Sequence, residues 1–339
     1  MKKLELNKTD LLIGIMVAGI FIFFSFKAFT IFESLERVIY GIEMRLDPPR
    51  NLGENRIAIV NIDEKSLKLL GPWPWPRCII AEMITILNKN GAKLIGLDLL
   101  FSEKEHNHGL KEIKKLYETI QNRSKTPDKD AWILNTLEEI EKRLDNDKLL
   151  SEITKENGNI IMPIIGRFGR YDTELVLTKD SILKKNTLKS SDFVYNIENY
   201  IPVKEITTPF TELSKNSRGL GHINLFPNAL MKGVTHLLFF NYRGHIIPSM
   251  PFRLAIDFLG KEPDEEIIQS KGIRLIKSKL PTLKGEILIK FKGGRRSFPY
   301  YSFVDIYNVK KVPAVFNDKI VLIGYTAKGA TSINTPVDP

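Results

Sequence analysis

The sequence predicts an α/β fold with a largely parallel sheet and an added antiparallel section, carried behind an N-terminal transmembrane helix and a helical stalk. Three observations predict it. An apolar run whose only charge is Lys27 fills residues 11–32, short β-branched runs alternate with helical periodicity from Arg56 onwards, and residues 219–245 carry the short runs and tight turn of antiparallel pairing.

The apolar run begins with LLIGIMVAGIFIFFSF and resumes after Lys27 with AFTIF. About 22 residues at a rise of about 1.5 Å each match a hydrocarbon core of about 30 Å. Lys2, Lys3 and Lys8 outnumber Glu5 and Asp10 ahead of it, so residues 1–10 are expected in the cytoplasm and everything after residue 32 outside it. No small-residue cleavage site follows, which favours an uncleaved anchor over a cleaved signal or a buried core helix. Residues 33–49 form the stalk: Leu35, Val38, Ile39 and Ile42 keep helical spacing until Asp47-Pro48-Pro49 stops it.

Residues 50–339 are expected to form one exported domain. Arg56 to Ile62 reads as a strand ended by Asp63, Cys78 to Asn88 as a helix ended by Gly91, and Lys93 to Leu97 as a strand ended by Asp98. That order is a βαβ unit with parallel strands. Leu110 to Asn157 is charged and helical, broken into two helices by Asn122 to Asp130, and Asn159 to Gly166 is a third core strand. Arg170 to about Thr207 is polar and aperiodic, as in a surface excursion. Gly219 to Leu225 and Gly233 to Asn241 read as antiparallel strands, with Tyr242-Arg243-Gly244 as a hairpin connection. A helix over Pro248 to Leu259, strands at Glu286 to Phe291 and Lys319 to Ile323, and a short helix near Ser302 to Asn308 complete the domain.

The composition bounds the function. With 50 Lys and Arg against 40 Asp and Glu the formal charge is +10, but the basic residues are spread along the chain, so no nucleic-acid partner is expected. The single cysteine, Cys78, excludes an intramolecular disulfide and a Cys-rich metal site.

IAIVNIDEKS from Ile57, GPWPWPR from Gly71 and GAKLIGLDLLFSE from Gly91, in that order, resemble the second type of CHASE domain, the extracellular sensory domain of bacterial adenylate and guanylate cyclases and histidine kinases. Gly219 to Asn224, Gly285 to Phe303 and KIVLIG before Thr335-Pro336 extend the resemblance over most of the chain. It implies a sensory input without catalysis of its own or a cofactor, responding to an extracytoplasmic small ligand or envelope signal, and a homodimer coupled through membrane helices to a cytoplasmic cyclase or kinase beyond Pro339. The helical stretch from about Lys111 to Arg143 is longer than the resemblance implies.

Five residues are candidate ligand contacts: Asp63, Trp73, Trp75, Arg77 and Asp98. Asp63 and Asp98 end strands, where open α/β sheets bind ligands, and would face one crevice if those strands are neighbours. The competing reading is that each caps its following loop. Trp73, Trp75 and Arg77 alternate with three prolines in a stiff segment that suits either a ligand surface or a core plug, with Arg77 binding an anion or pairing with Asp63 or Asp98. An exported enzyme built on Asp63 and Asp98, and a non-signalling envelope scaffold, are the alternative functions. His106 and His108 lack further metal ligands nearby, Gly324 to Thr331 has phosphate-loop glycines with Ala330 where lysine is needed, and Gly293 to Arg296 reads as a solvated turn. His222, His236 and His245 read as satisfied residues of the fold.

Overall fold

A computed structural model describes residues 56–123, 127–173, 175, 181–188, 200–225, 235–261, 268–269, 272–275, 278–280, 285–291, 297–309 and 314–330, and ahead of them residues 9, 12–22, 39, 42 and 46. Residues 12–22 form helix α1, with every residue exposed. Ile39, Ile42 and Leu46 of the expected stalk are helical and exposed as well; the rest of the stalk lies outside the described residues. Among the described residues no helix is long and apolar enough to cross a membrane; α1 covers half of the expected span.

The domain opens with β1 (Ile57–Ile62), α2 (Glu64–Leu70), α3 (Arg77–Lys89) and β2 (Leu94–Asp98). Apart from Asn61 and the terminal Asp98, β1 and β2 are apolar on both faces, as strands covered by helices are. α3 buries Ile80, Ala81, Met83, Ile84, Ile86 and Leu87 along one stripe, each large side chain contributing about 1.5–3 kcal/mol of burial. It stops at Gly91, whose φ of +82° suits glycine and where a Cβ would lie 2.5 Å from Asn317.

The expected pair of helices is three: α4 (His108–Arg123), α5 (Pro127–Leu144) and α6 (Asn146–Asn157). The extra break falls at Asp145, whose carboxylate accepts the Lys148 amide and caps α6, a local interaction that competes with helix continuation. β3 (Ile160–Phe168) follows, then β4 (Pro202–Thr207), α7 (Thr211–Asn216) and β5 (Gly219–His222). The strands β6 (Thr235–Leu237), β7 (Phe239–Tyr242) and β8 (His245–Pro248) lead into α8 (Met250–Phe258). β7 and β8 pair antiparallel across Arg243-Gly244, both at positive φ, which bears out the hairpin. After β9 (Ile268–Gln269), β10 (Gly272–Leu275), β11 (Ser278–Leu280) and β12 (Glu286–Leu288) come β13 (Tyr300–Ser302), α9 (Phe303–Val309) and β14 (Ile320–Tyr325).

The main sheet runs β13-β1-β14-β2-β3-β4-β7-β8, with β5 also paired to β3. β13, β1, β14, β2, β3 and β5 are mutually parallel. Two expectations change here. β5 is parallel to β3, not antiparallel: it is buried throughout, and its glycines admit α8, since a Cβ on Gly221 would lie 2.5 Å from the Met250 backbone. β1 and β2 are not neighbours either, because β14, the last strand, inserts between them. The larger core cluster lies on the α3 face with Ala58, Val60, Ile62, Ile95, Leu97 and Ile323, while α8 packs Met250, Leu254 and Phe258 on Leu94, Ile161 and Ile320 of the other face.

Candidate functional site

The five candidate residues separate into three environments. Asp63 is the N-cap of α2: one carboxylate oxygen accepts the Ser66 amide at 2.9 Å, the Ser66 hydroxyl at 2.7 Å and the Ser302 hydroxyl at 2.9 Å. Burial alone would raise its pKa, but these hydrogen bonds prevail and hold it below the ordinary value, so it stays ionised. The capping role anticipated as the alternative for Asp63 is therefore the one the geometry supports.

Trp73, Trp75 and Arg77 gather on the α3 face. The Trp73–Pro74 peptide is cis. Trp75 is 5 % exposed, donates its indole N–H to the Gly71 carbonyl at 2.8 Å and packs on Phe303 with ring centroids 5.1 Å apart. Trp73 meets the edge of Trp75 and the ring of Tyr325. Arg77 pairs with neither Asp63 nor Asp98. Its guanidinium bonds the Asp147 carboxylate and the Glu103 carbonyl, and sits over the rings of Phe101 and Phe210 at 5.2 and 5.3 Å. The second Asp147 oxygen accepts the Glu105 amide at 2.8 Å, and Glu105 in turn accepts the Arg77 amide. No buried side-chain nitrogen or oxygen of these residues is left without a partner, which makes the corner a clamp joining α3, α6 and the loop after β2.

Asp98 is different. It ends β2 and makes no hydrogen bond or ion pair with any described residue. Desolvation pushes its carboxyl above the ordinary aspartate value, although its side chain keeps solvent-exposed surface. Water therefore reaches the carboxylate, while the neighbouring protein limits its hydration. Register shows what lies beside it: Asn61 of β1 pairs with Gly324 of β14, which pairs with Asp98. These three positions point to the α8 face, the side opposite Trp73, Trp75 and Arg77. Asn61 is 8 % exposed and its carbonyl oxygen Oδ1 is buried without a partner. Between the two, the nearest atoms to a Cβ built on Gly324 would be Asp98 Cβ at 3.6 Å and Oδ2 at 3.8 Å.

Sequence reasoning singled out Asp98 but missed Asn61. The usable signal was a polar residue interrupting the apolar run IAIVNI at the carboxyl end of a strand. Asp63 lies just past β1 and Asp98 ends β2, with β14 between the two strands, so the neighbouring strands on which a shared crevice depended are absent.

The histidines also depart from expectation. His245 is satisfied, its Nε2 lying 2.6 Å from the Leu175 carbonyl. His222 is fully buried against Phe240, with centroids 4.5 Å apart, and neither ring nitrogen is in hydrogen-bonding geometry, though the Leu238 backbone lies close. Burial, then repulsion from His236, lower its pKa to about 3. His236 Nε2 is likewise buried and unpaired, and burial lowers that ring too. His106 and His108 are exposed. The Gly324 run leaves β14 into a turn where the Lys328 amide bonds Glu64, and Gly293 to Arg296 lies outside the described residues.

A model of the CHASE2 domain matches residues 14–338. No curated protein and no solved structure matches the chain.

Proposed function

Because the chain belongs to the CHASE2 domain family, a family of sensory domains of signalling receptors, we propose that it is the extracytoplasmic input domain of a bacterial transmembrane receptor. Residues 11–32 anchor it, residues 33–49 carry the signal towards the membrane, and the output is a cytoplasmic cyclase or kinase joined in the same polypeptide. The observation that carries this reading is the extent of the match, which starts inside the apolar segment and runs through the last strand of the sheet.

Two features support the details. Every residue of α1 is exposed, with Leu12 at 68 % and Phe21 at 75 %; a helix apolar on all sides requires an apolar surrounding, and lipid supplies it. The main sheet places its parallel strand ends, where α/β folds take ligands, at one edge. Signalling then follows if a ligand binds one of two domain states more tightly than the other, and a homodimer gives the paired stalks a common movement to transmit.

Two measurements test this reading. Alkaline phosphatase fused after Pro339 should be active in cells and remain with carbonate-washed membranes; an inactive fusion in the soluble fraction contradicts the anchor and the export. Reading the gene past codon 339 should reveal a cyclase or kinase in frame, and a reading frame with neither contradicts the coupling.

A further inference from the structure

We infer that Asn61, Gly324 and Asp98 form the ligand site of this domain, and that it takes the primary ammonium group of a small organic molecule. The inference rests on the sensory reading for its purpose and on the geometry for its location.

Three facts converge on this row. The Asn61 carbonyl oxygen is buried with no donor in reach, and leaving such an acceptor unsatisfied is costly unless something donates to it. Asp98 is exposed at the end of β2 and has no cation or donor among the described residues, so its carboxylate is open to a cation from solution. Gly324 separates them in register and contributes no side chain. Two strand spacings put the Asn61 and Asp98 backbones about 10 Å apart. The Asp98 side chain leans over Gly324, and apart from it no described residue outside the immediate chain neighbours comes within 4 Å of the point a Gly324 Cβ would take.

The chemistry of the row selects the occupant. Asp98 and the Asn61 oxygen offer acceptors, and Asp63, two residues beyond Asn61 and held ionised by Ser66 and Ser302, adds negative potential. An anion is excluded by that charge. Calcium wants six to eight oxygens and magnesium near-octahedral coordination, whereas no group of three His, Cys, Asp or Glu side chains that could hold a metal exists among the described residues. A primary ammonium has three N–H donors, matches both acceptors and supplies the charge that Asp98 lacks. Its binding favours the ionised carboxylate, so affinity rises as pH rises through the elevated Asp98 pKa.

The test uses the full chain in detergent micelles and titration calorimetry with methylammonium, ethanolamine and 1,4-diaminobutane. Tetramethylammonium, a cation without N–H donors, and magnesium chloride are the controls. At least one primary amine should bind and both controls should not. Asp98→Asn should weaken that binding roughly tenfold or more and remove its pH dependence. Gly324→Ala is the fold-sparing variant: its methyl group would make ordinary contact with Asp98, so the thermal midpoint without ligand should be unchanged while amine binding falls. The site is overturned if no primary amine binds, if tetramethylammonium binds equally well, or if both variants bind like the parent. Those failures remove the site alone, because the sensory reading answers to the fusion and gene measurements above.

Discussion

Arg77 opens helix α3 and Asp98 closes strand β2, and both stand out in the sequence as charged residues beside apolar segments. On the α3 face, Arg77 is enclosed by Asp147, Glu103, Phe101 and Phe210, and no buried polar atom of that group is left without a partner. On the α8 face, Asp98 and the Asn61 oxygen have no partner among the described residues. The contrast teaches that a charge at the end of an apolar element does not itself mark a site. Folding completes one constellation internally and leaves the other for an outside donor, and a full accounting of partners separates the two.

The largest expected effect breaks the completed side. Arg77→Met keeps the apolar stem but strands the Asp147 carboxylate in a mostly buried setting, where each side chain of the pair is only 12 % and 11 % exposed. Removing one member of such a pair should cost about 3–5 kcal/mol in chemical denaturation.

Next comes an acid effect from His222, which is unpartnered like Asp98 but sealed from solvent. Its folded pKa of about 3 lies below the ordinary 6.5, so between those values the unfolded chain binds a proton that the folded chain refuses. Stability from this group is intact above about pH 6.5 and is lost progressively as pH falls towards 3. Between pH 6.5 and 4.5 the loss should be about 2–3 kcal/mol. His222→Phe, which can keep the contact with Phe240, should flatten that slope; an unchanged slope would assign acid sensitivity to other groups.

A smaller effect belongs to Asp63, where the partners are complete but local. Asp63→Ala should cost about 1 kcal/mol through the lost cap, and circular dichroism should show the helical content otherwise retained. A cost approaching that of Arg77→Met would mean that Asp63 has a wider role than capping α2.

The same contrast explains how much of the molecule could be read from its residues. β1, α3, β2, β3 and α8 are long or strongly patterned, and their apolar runs end at Asp63, Gly91, Asp98 and other residues that stop regular structure for local reasons. β4 and β13 are short or polar and pair with strands distant in sequence, while β9 to β11 are too short to carry a pattern and pair with one another. The insertion of β14 between β1 and β2 is of that kind, since no feature of KIVLI encodes which strands it will separate. The candidate site was half legible. Asp98 and Gly324 drew notice, but Asn61 gains meaning only when register puts it in their row. The partner of Arg77 was illegible because Asp147 is one of many acids along a charged helical stretch, and only the packing of α6 against α3 brings it near.

The most direct measurement sets the two sides against each other: denaturant unfolding of the full chain in micelles for Arg77→Met and Asp98→Asn at neutral pH. Because burial raises the Asp98 pKa above its ordinary 3.8, ionisation there works against folding at neutral pH, and that penalty disappears as pH falls below the ordinary value. Asp98→Asn should therefore be at least as stable as the parent at neutral pH, with any gain fading in acid, while Arg77→Met loses several kcal/mol. If Asp98→Asn were instead destabilised as severely as Arg77→Met, Asp98 would be a structural residue like Arg77, and the distinction between a completed clamp and an open site would be contradicted.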